Sequence, residues 1–262
     1  MLFGSRGVAS ALSTMAVAGA LLTATPASAL LVQPIVIDMH SSGTKTDASL
    51  TVTNDRRVPV TVEITVNDLK VPETGDLVIT PENGDEFLIF PPQVTIQPGH
   101  TQVIRIRWVG EPTMPESKLY MFATTELPLN QLKGSGVQVM YSIQSLVTVT
   151  SPALKSDLHV VDATRTVVDT AATFDHPAGQ RAGLLLTMAN EGNAVDLLAH
   201  YRLHVKVNSA RPWTKTVEST EIIKSLGLGL VPPNARRKLF VAIPDVPPDG
   251  DVTATIEHAP EQ

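Results

Sequence analysis

Residues 136–152, with the sequence GVQVMYSIQSLVTVTSP, alternate between apolar and polar side chains until the chain reaches Pro152. This alternation predicts a β-strand, because successive side chains of a strand point to opposite faces of its sheet. A typical strand has about five or six residues, so we expect this one to extend beyond its own sheet. Such an extension is either covered within the molecule or offered to another chain.

The composition of the chain predicts an all-β fold. It contains 262 residues, 43% of them hydrophobic, with 20 prolines and 16 glycines. Short alternating runs are separated by turns rich in Pro and Gly, and no helical periodicity stands out after residue 30. Cysteine is absent, so the fold must form without disulfides and thiolate chemistry is excluded.

Residues 1–29 have the pattern of a secretory signal peptide. Arg6 precedes an apolar segment from residue 8 to residue 22, and Ala27, Ser28 and Ala29 form a small-residue cleavage site. We therefore expect the mature protein to begin near Leu30; an uncleaved N-terminal anchor is the alternative. No later segment has the roughly eighteen consecutive apolar residues of a membrane span, so we expect no membrane insertion after cleavage.

The distribution of alternating runs predicts two domains. About seven runs lie between residues 30 and 152, which is the spacing of an immunoglobulin-like sandwich. A hinge follows near residues 152–156, and a second series of runs begins at about Leu158. We expect an N-terminal immunoglobulin-like domain over residues 30–152 and a smaller C-terminal sandwich over residues 153–262. In the latter, residues 222–230 form either a short helix or a strand.

No pattern of residues indicates catalysis or metal binding. His200 and His204 are four residues apart, but on a strand this spacing separates them by about 13 Å, which argues against a shared metal. The nucleophile motif GxSxG is absent, and Asp245, Asp249 and Asp251 lack the spacing of a calcium loop. The net charge of −6 is dispersed and excludes a nucleic-acid partner. We expect neither enzymatic activity nor a cofactor.

Two arginines stand out in residues 102–109, QVIRIRWV. Arg105 and Arg107 should share one face of a strand whose other face is apolar. The simplest interpretation is a solvated face that carries two charges. Alternatively, one arginine pairs with Glu116 or another acid to stiffen a cleft, or receives an anionic group of a partner. The spacing does not decide between these interpretations.

Several blocks of sequence together resemble the PapD-like periplasmic chaperones of the chaperone-usher pilus pathway. These blocks are ASLTVTND at 48–55 followed by Pro59, FPPQVTIQPGHTQVIRIRW at 90–108, MPESKLYMF at 114–122, ELP at 126–128, NEGN at 190–193 and LVPP at 230–233. Their order and spacing carry the resemblance. It extends over nearly all of the chain after residue 29.

The resemblance implies two immunoglobulin-like domains in a boomerang arrangement, and a chaperone in the periplasm of a Gram-negative bacterium. Its partners would be pilus subunits and an outer-membrane usher. A long edge strand of such a chaperone completes the unfinished sandwich of a subunit, which is donor-strand complementation. The alternative is a secreted structural or adhesive sandwich protein of a surface fibre. A strand that starts directly after Ala29 favours the chaperone.

Within this resemblance, the run at 136–152 is the donor strand. Its apolar face predicts the donor residues Val137, Val139, Tyr141 and Ile143, with Val147 and Val149 in the chaperone's own core. Counting back from Pro152, as in better-known members, would instead place Gln138, Met140 and Ser142 at the donor positions. We prefer the apolar set, which requires a one-residue bulge or shift in the strand.

The chain departs from the family where other members anchor the C-terminal carboxylate of the subunit. Typical members carry an arginine in the first strand and a lysine in the long strand. The corresponding stretches here are Ile35-Val36-Ile37 and Ser145-Leu146-Val147, which contain no basic residue. This anchor is therefore not carried over; either Arg105 or Arg107 replaces it, or the chain belongs to a divergent branch of the family. Glu116 matches an acid that the family associates with interdomain contacts, but Ser151 replaces its arginine partner.

Overall fold

The computed structural model describes residues 29–74, 76–81, 85–128, 140–170 and 179–260. Within these ranges, the N-terminal sandwich contains the strands β1 (Leu30–Gln33), β2 (Val36–His40), β3 (Asp47–Asn54), β4 (Val60–Lys70), β5 (Val78–Pro81), β6 (Phe87–Phe90), β7 (Gln93–Ile96), β8 (Thr101–Trp108), β9 (Lys118–Leu127) and β10 (Ser142–Thr150). The C-terminal sandwich contains β11 (Leu158–Thr170), β12 (Gly179–Asn190), β13 (Asp196–Leu197), β14 (Tyr201–Asn208), β15 (Trp213–Val217), α1 (Ser219–Leu226), β16 (Leu230–Val231), β17 (Ala235–Ala242) and β18 (Asp251–His258). The predicted all-β class is confirmed.

Two sheets face each other in the N-terminal sandwich. One has the strand order β1-β3-β8-β6, and the other has the order β2-β10-β9-β4-β5, with β7 also paired to β4. Alternating residues of β8 explain the packing, because Ile104, Ile106 and Trp108 are buried whereas Arg105 and Arg107 are exposed, as the sequence predicts. The core between the sheets therefore takes one residue in two from each central strand.

Of the alternating runs expected between residues 30 and 152, the first covers residues 31–39, and a proline divides it into two strands that belong to different sheets. β1 pairs with β3 in one sheet, whereas β2 pairs in parallel with β10 in the other. Pro34 lies between them and has no backbone N–H to contribute to a ladder. The two sheets are thus joined by the chain at this corner of the sandwich.

The C-terminal sandwich combines a sheet β11-β12-β17 with a sheet β15-β14-β18, and the short pair β13-β16 lies beside them. Residues 222–230, predicted as helix or strand, contain both the end of α1 and the start of β16. The strand expected to carry both His200 and His204 begins later than expected, since residues 198–200 form a 3-10 turn. His200 therefore lies on that turn and only His204 lies on β14.

The two sandwiches meet through backbone hydrogen bonds and a shared apolar cluster. Ser117 N–H donates to the carbonyl of Asn193 (3.0 Å), and Lys238 N–H donates to the carbonyl of Glu73 (2.8 Å). The cluster, which we call the seam, contains buried residues of both sandwiches: Leu69, Met121, Leu146, Leu197, Ala199 and Leu230. Glu73, which lies between β4 and β5, contributes to this junction.

Candidate functional site

One half of β10 has a partner strand on one side only. On one side of β10, β9 pairs continuously with residues Ser142 to Val149. On the other side, β2 pairs only with residues 146–150. Leu146 N–H donates to the carbonyl of Ile35 (2.9 Å), where β2 begins. Within the described part of the chain, no strand lies beside residues 142–145 opposite β9. We call this segment the free edge.

Backbone groups of the free edge point outward in a regular pattern. Glu126 N–H donates to the carbonyl of Tyr141 (2.9 Å), so the backbone groups of Tyr141 face β9. In an antiparallel pair these directions alternate along the strand, so those of Ser142 and Gln144 face away from β9. Leu146 follows the same alternation, because its N–H reaches β2. Among the described residues, the outward backbone groups of Ser142 and Gln144 therefore have no partner strand.

Side chains of β10 divide between two environments. Val147 and Val149 are completely buried in the core of the N-terminal sandwich, as predicted, and Ile143 is half-buried against the same core. Ser142 and Gln144 are exposed, and Leu146 enters the seam. The expected bulge does not lie between Ser142 and Val149, because the pairing with β9 runs there without a register shift. Odd-numbered residues thus share the apolar face.

An apolar groove lies beside the free edge. It has a volume of about 660 Å³ and is lined by Leu31, Val32, Gln33, Pro34, Ile35 and Thr51. Ile35 is 63% exposed and Leu31 is 44% exposed. Ser145 Oγ donates to the carbonyl of Pro34 (3.1 Å), which holds the end of the free edge against this segment. β1 is itself the outer strand of its sheet, so no further strand of the described ranges covers this side of the sandwich.

Of the predicted donor residues, the structure describes Tyr141 and Ile143, whereas Val137 and Val139 lie outside the described residues. Tyr141 precedes β10 and is 52% exposed. Its ring lies 5.0 Å from the guanidinium carbon of Arg56. Arg56 in turn pairs with Glu126, at 2.8 Å between Nη1 and Oε1. No local sequence pattern predicts this group, because its members come from three separate segments.

Residues 35–37 and 145–147, which lack the basic anchor, contain side chains that make apolar contacts. Val36 packs against the seam that contains Leu146, and Val147 lies in the N-terminal core. Ser145 is completely buried. Leu146 and Val36 therefore contribute to the junction between the two sandwiches by apolar burial.

Next to the seam lies a buried carboxylate that sequence analysis did not single out. Asp196 is 6% exposed, and Tyr201 Oη donates to it at 2.6 Å, while His200 Nδ1 lies 3.4 Å from it. Burial alone would raise the pKa of Asp196, but hydrogen bonds from His200 and Tyr201 outweigh it and lower the pKa. The hydrogen bond with Asp196 raises the pKa of His200, and Asp38 on β2 adds to the rise. Charges of both sandwiches therefore meet here.

The predicted cleft charges lie apart from this junction, with one exception. Arg105 and Arg107 are on β8, in the sheet that contains neither β2 nor β10. Arg107 Nε pairs with Asp47 at 2.6 Å, and both side chains are more than half exposed. Glu116 does reach the other sandwich, since Asn234 Nδ2 donates to its Oε2 at 3.4 Å. A role of either arginine in anchoring a partner stays a prediction.

Among the described residues, no group of three His, Asp or Glu side chains is placed to hold a metal ion. His204 instead contacts Thr216 Oγ1 (3.0 Å) and Glu257 Oε2 (3.1 Å). None of the helices described is long and apolar enough to cross a membrane.

The chain is similar to one known protein family and to several solved structures. Residues 32–150 match the family model described as pili and flagellar-assembly chaperone, PapD N-terminal domain. The chain is similar to the class 5 fimbriae chaperone CfaA, with a TM-score of 0.52 and 12% identity over 89% of this chain and 95% of that one. It is similar to a chain from a chaperone-tip adhesin complex of CFA/I fimbriae biogenesis, with a TM-score of 0.52 and 10% identity over 90% and 94% of the two chains. No curated protein matches the chain in sequence.

The structural likeness shows the fold alone, and it confirms two immunoglobulin-like sandwiches. The family match covers the sheets that carry β10, its free edge and the adjoining groove. Residues 32–150 therefore form a PapD N-terminal domain of the family described as pili and flagellar-assembly chaperone.

Proposed function

We propose that the protein is a periplasmic chaperone that binds pilus subunits by donor-strand complementation and delivers them to an outer-membrane usher. The free edge of β10 carries the proposal, because its outward backbone groups have no partner strand in the described part of the chain and an apolar groove lies nearby. An extended strand of a partner can pair with such an edge and place alternate side chains in contact with it. The family match and the neighbour solved in a chaperone-tip adhesin complex support this function.

The donor residues of this proposal are Val137, Val139, Tyr141 and Ile143. In the sequence, they continue the odd-numbered apolar positions to which Val147 and Val149 also belong. Leu31 and Ile35 extend the apolar surface across the neighbouring groove. Covering this surface would remove apolar area from water and satisfy backbone groups of an incomplete subunit, so the function needs no chemical step.

Binding of the subunit would differ from that in typical members at one point. The stretches that would carry the basic pair here hold Leu146 and Val36, which pack in the seam. The terminal carboxylate of a subunit therefore finds no arginine or lysine at these positions. We assign the binding energy to the strand pairing and the groove instead.

Substitution of Gln144 tests the proposal. Gln144→Pro removes an outward N–H from the free edge without removing a hydrogen bond to β9, and Gln144→Ala retains that N–H as the matched control. The full-length tagged chain is expressed in its host, and co-purifying proteins are identified by mass spectrometry. We expect wild type and Gln144→Ala to capture small β-rich subunits and an usher, and Gln144→Pro to lose them while its circular dichroism is unchanged.

Undiminished capture by Gln144→Pro would overturn the assignment of the edge. Self-association into chains without any captured subunit would instead favour a structural or adhesive fibre protein. The predicted signal peptide and periplasmic location have their own test, which is N-terminal sequencing of the protein from a periplasmic fraction. A mature terminus near Leu30 is expected.

A further inference from the structure

We propose that Arg56 and Glu126 form a clamp that holds Tyr141 and so fixes the point where the free edge of β10 begins. This inference rests on the proposed function of that edge, and it assigns Arg56 as a positioning residue. Arg56 lies after β3, Glu126 lies near the end of β9, and Tyr141 directly precedes β10. The clamp therefore joins three segments that are far apart in sequence.

Contacts of the clamp reach both the side chain and the backbone of Tyr141. The guanidinium carbon of Arg56 lies 5.0 Å from the centre of the Tyr141 ring, which is within the range of a cation-π interaction. Glu126 N–H donates to the carbonyl of Tyr141 at 2.9 Å. The ring and the backbone of one residue are thus held by the two members of an ion pair.

Burial makes the pair between Arg56 and Glu126 difficult to break. Their side chains are 17% and 16% exposed, and Nη1 lies 2.8 Å from Oε1. The second oxygen of the carboxylate, Oε2, is buried and has no hydrogen-bond partner among the described residues. If Arg56 left the pair, Glu126 would hold a buried charge without compensation, which is strongly unfavourable. Arg56 is therefore confined to the position under the tyrosine ring.

A buried asparagine fixes the backbone that carries Arg56. Arg56 N–H donates to Asn54 Oδ1 at 3.0 Å. Asn54 is completely buried, and its Nδ2 donates to the carbonyls of Val58 (2.9 Å) and Ile96 (3.0 Å). Arg56 thus lies on a turn that is hydrogen-bonded to the core of the sandwich through Asn54.

Fixing Tyr141 has a consequence for the register of the donor strand. A shift of one residue would turn every side chain of a strand to the opposite face. Tyr141 has one face on the guanidinium and remains 52% exposed, so the clamp presents the ring beside the free edge in one orientation. Pre-ordering of this kind lowers the entropy lost on binding. Arg56 therefore favours the odd-numbered face as the one offered to a subunit.

Amide exchange in the free protein tests the clamp without any subunit. The reporter is the N–H of Glu126, which is bonded to the carbonyl of Tyr141. Tyr141→Phe keeps the ring and is the matched control for Tyr141→Ala. We expect Tyr141→Ala and Arg56→Ala to accelerate exchange at Glu126 by about tenfold, and Tyr141→Phe to leave it unchanged. The variant Arg56→Ala/Glu126→Gln removes the uncompensated charge if Arg56→Ala does not fold.

Subunit capture by the same variants supplies the second measurement. Arg56→Ala should reduce capture by about tenfold in the wild-type and Tyr141→Phe backgrounds, and should have no further effect in the Tyr141→Ala background. If Arg56→Ala reduced subunit capture equally in all three backgrounds, Arg56 would not act by positioning Tyr141, and this part of the proposal would be overturned. Unchanged exchange at Glu126 in Arg56→Ala and Tyr141→Ala would overturn the clamp, whatever the binding result. Failure of wild type to capture any subunit would count against the proposed function alone, since the exchange result decides the clamp.

Discussion

Asn54 and Asn190 occupy equivalent positions in the two sandwiches. Each is the last residue of a strand, β3 or β12, and each is almost completely buried. The Oδ1 atom of each accepts a hydrogen bond from the backbone N–H two residues later, at 3.0 and 3.1 Å. The Nδ2 atom of each donates to the carbonyl four residues later, at 2.9 and 2.8 Å. The same turn is therefore built twice in one chain.

Replacing either asparagine by alanine should destabilise the sandwich that contains it. The substitution leaves buried backbone groups without their partners, which costs about 2–3 kcal/mol in the free energy of unfolding. Chemical denaturation of Asn54→Ala and Asn190→Ala measures this loss. Asn208→Ala is the matched control, because Asn208 also ends a strand but is exposed. A loss no larger than that of the control would contradict the structural role of the two turns.

Alternation in the sequence predicted the long central strands well. β3, β8 and the buried pair Val147 and Val149 follow directly from it, because a half-buried strand must alternate. β5 was missed since all four of its residues are exposed, and no alternation marks such a strand. The division of the first run by Pro34 was also missed, although proline is the signal that could have revealed it.

The sequence predicted the strand of the candidate site but not the residues that contact and position this strand. Composition and alternation identify β10, since both are local properties of one segment. The contact between Arg56 and Glu126 joins residues 70 positions apart, and it depends on how the sheets fold together. No local pattern carries that information. The seam was missed for the same reason, because its apolar residues look like ordinary core residues in the sequence.

Truncating Leu146 should weaken the junction between the sandwiches. Leu146 is buried in the seam with residues of the C-terminal sandwich. Leu146→Ala would leave a cavity and lower the free energy of unfolding by about 2–4 kcal/mol. Denaturation measures the stability, and small-angle scattering reports any change in the relation of the two sandwiches. Gln144→Ala on the exposed face of the same strand should change neither quantity, so equal effects of the two variants would contradict this role.

The pair of His200 and Asp196 should make stability depend on pH at both ends of the range. The pKa of His200 is raised above its ordinary value of 6.5. The contribution of His200 to the free energy of unfolding is therefore complete below pH 6.5 and is lost as pH rises through the raised pKa. The pKa of Asp196 is lowered from 3.8, so its contribution is present above that value and is lost as pH falls through the lowered pKa. His200→Gln should remove the loss of stability that the wild type shows as pH rises through the raised pKa of His200. Thermal unfolding from pH 5 to pH 9 checks this, and an identical alkaline slope in wild type and variant would refute it.

The seam would make the angle between the two sandwiches less dependent on ionic strength than a junction held by charges alone. Charges near a protein surface are screened within about 8 Å in physiological salt, whereas burial of apolar surface is not weakened by salt. A junction held by Leu146, Leu197 and Leu230 would therefore keep its geometry when the salt of its surroundings changes. In a compartment whose ions follow the external medium, such a joint would keep the free edge and the C-terminal sandwich in one fixed relation.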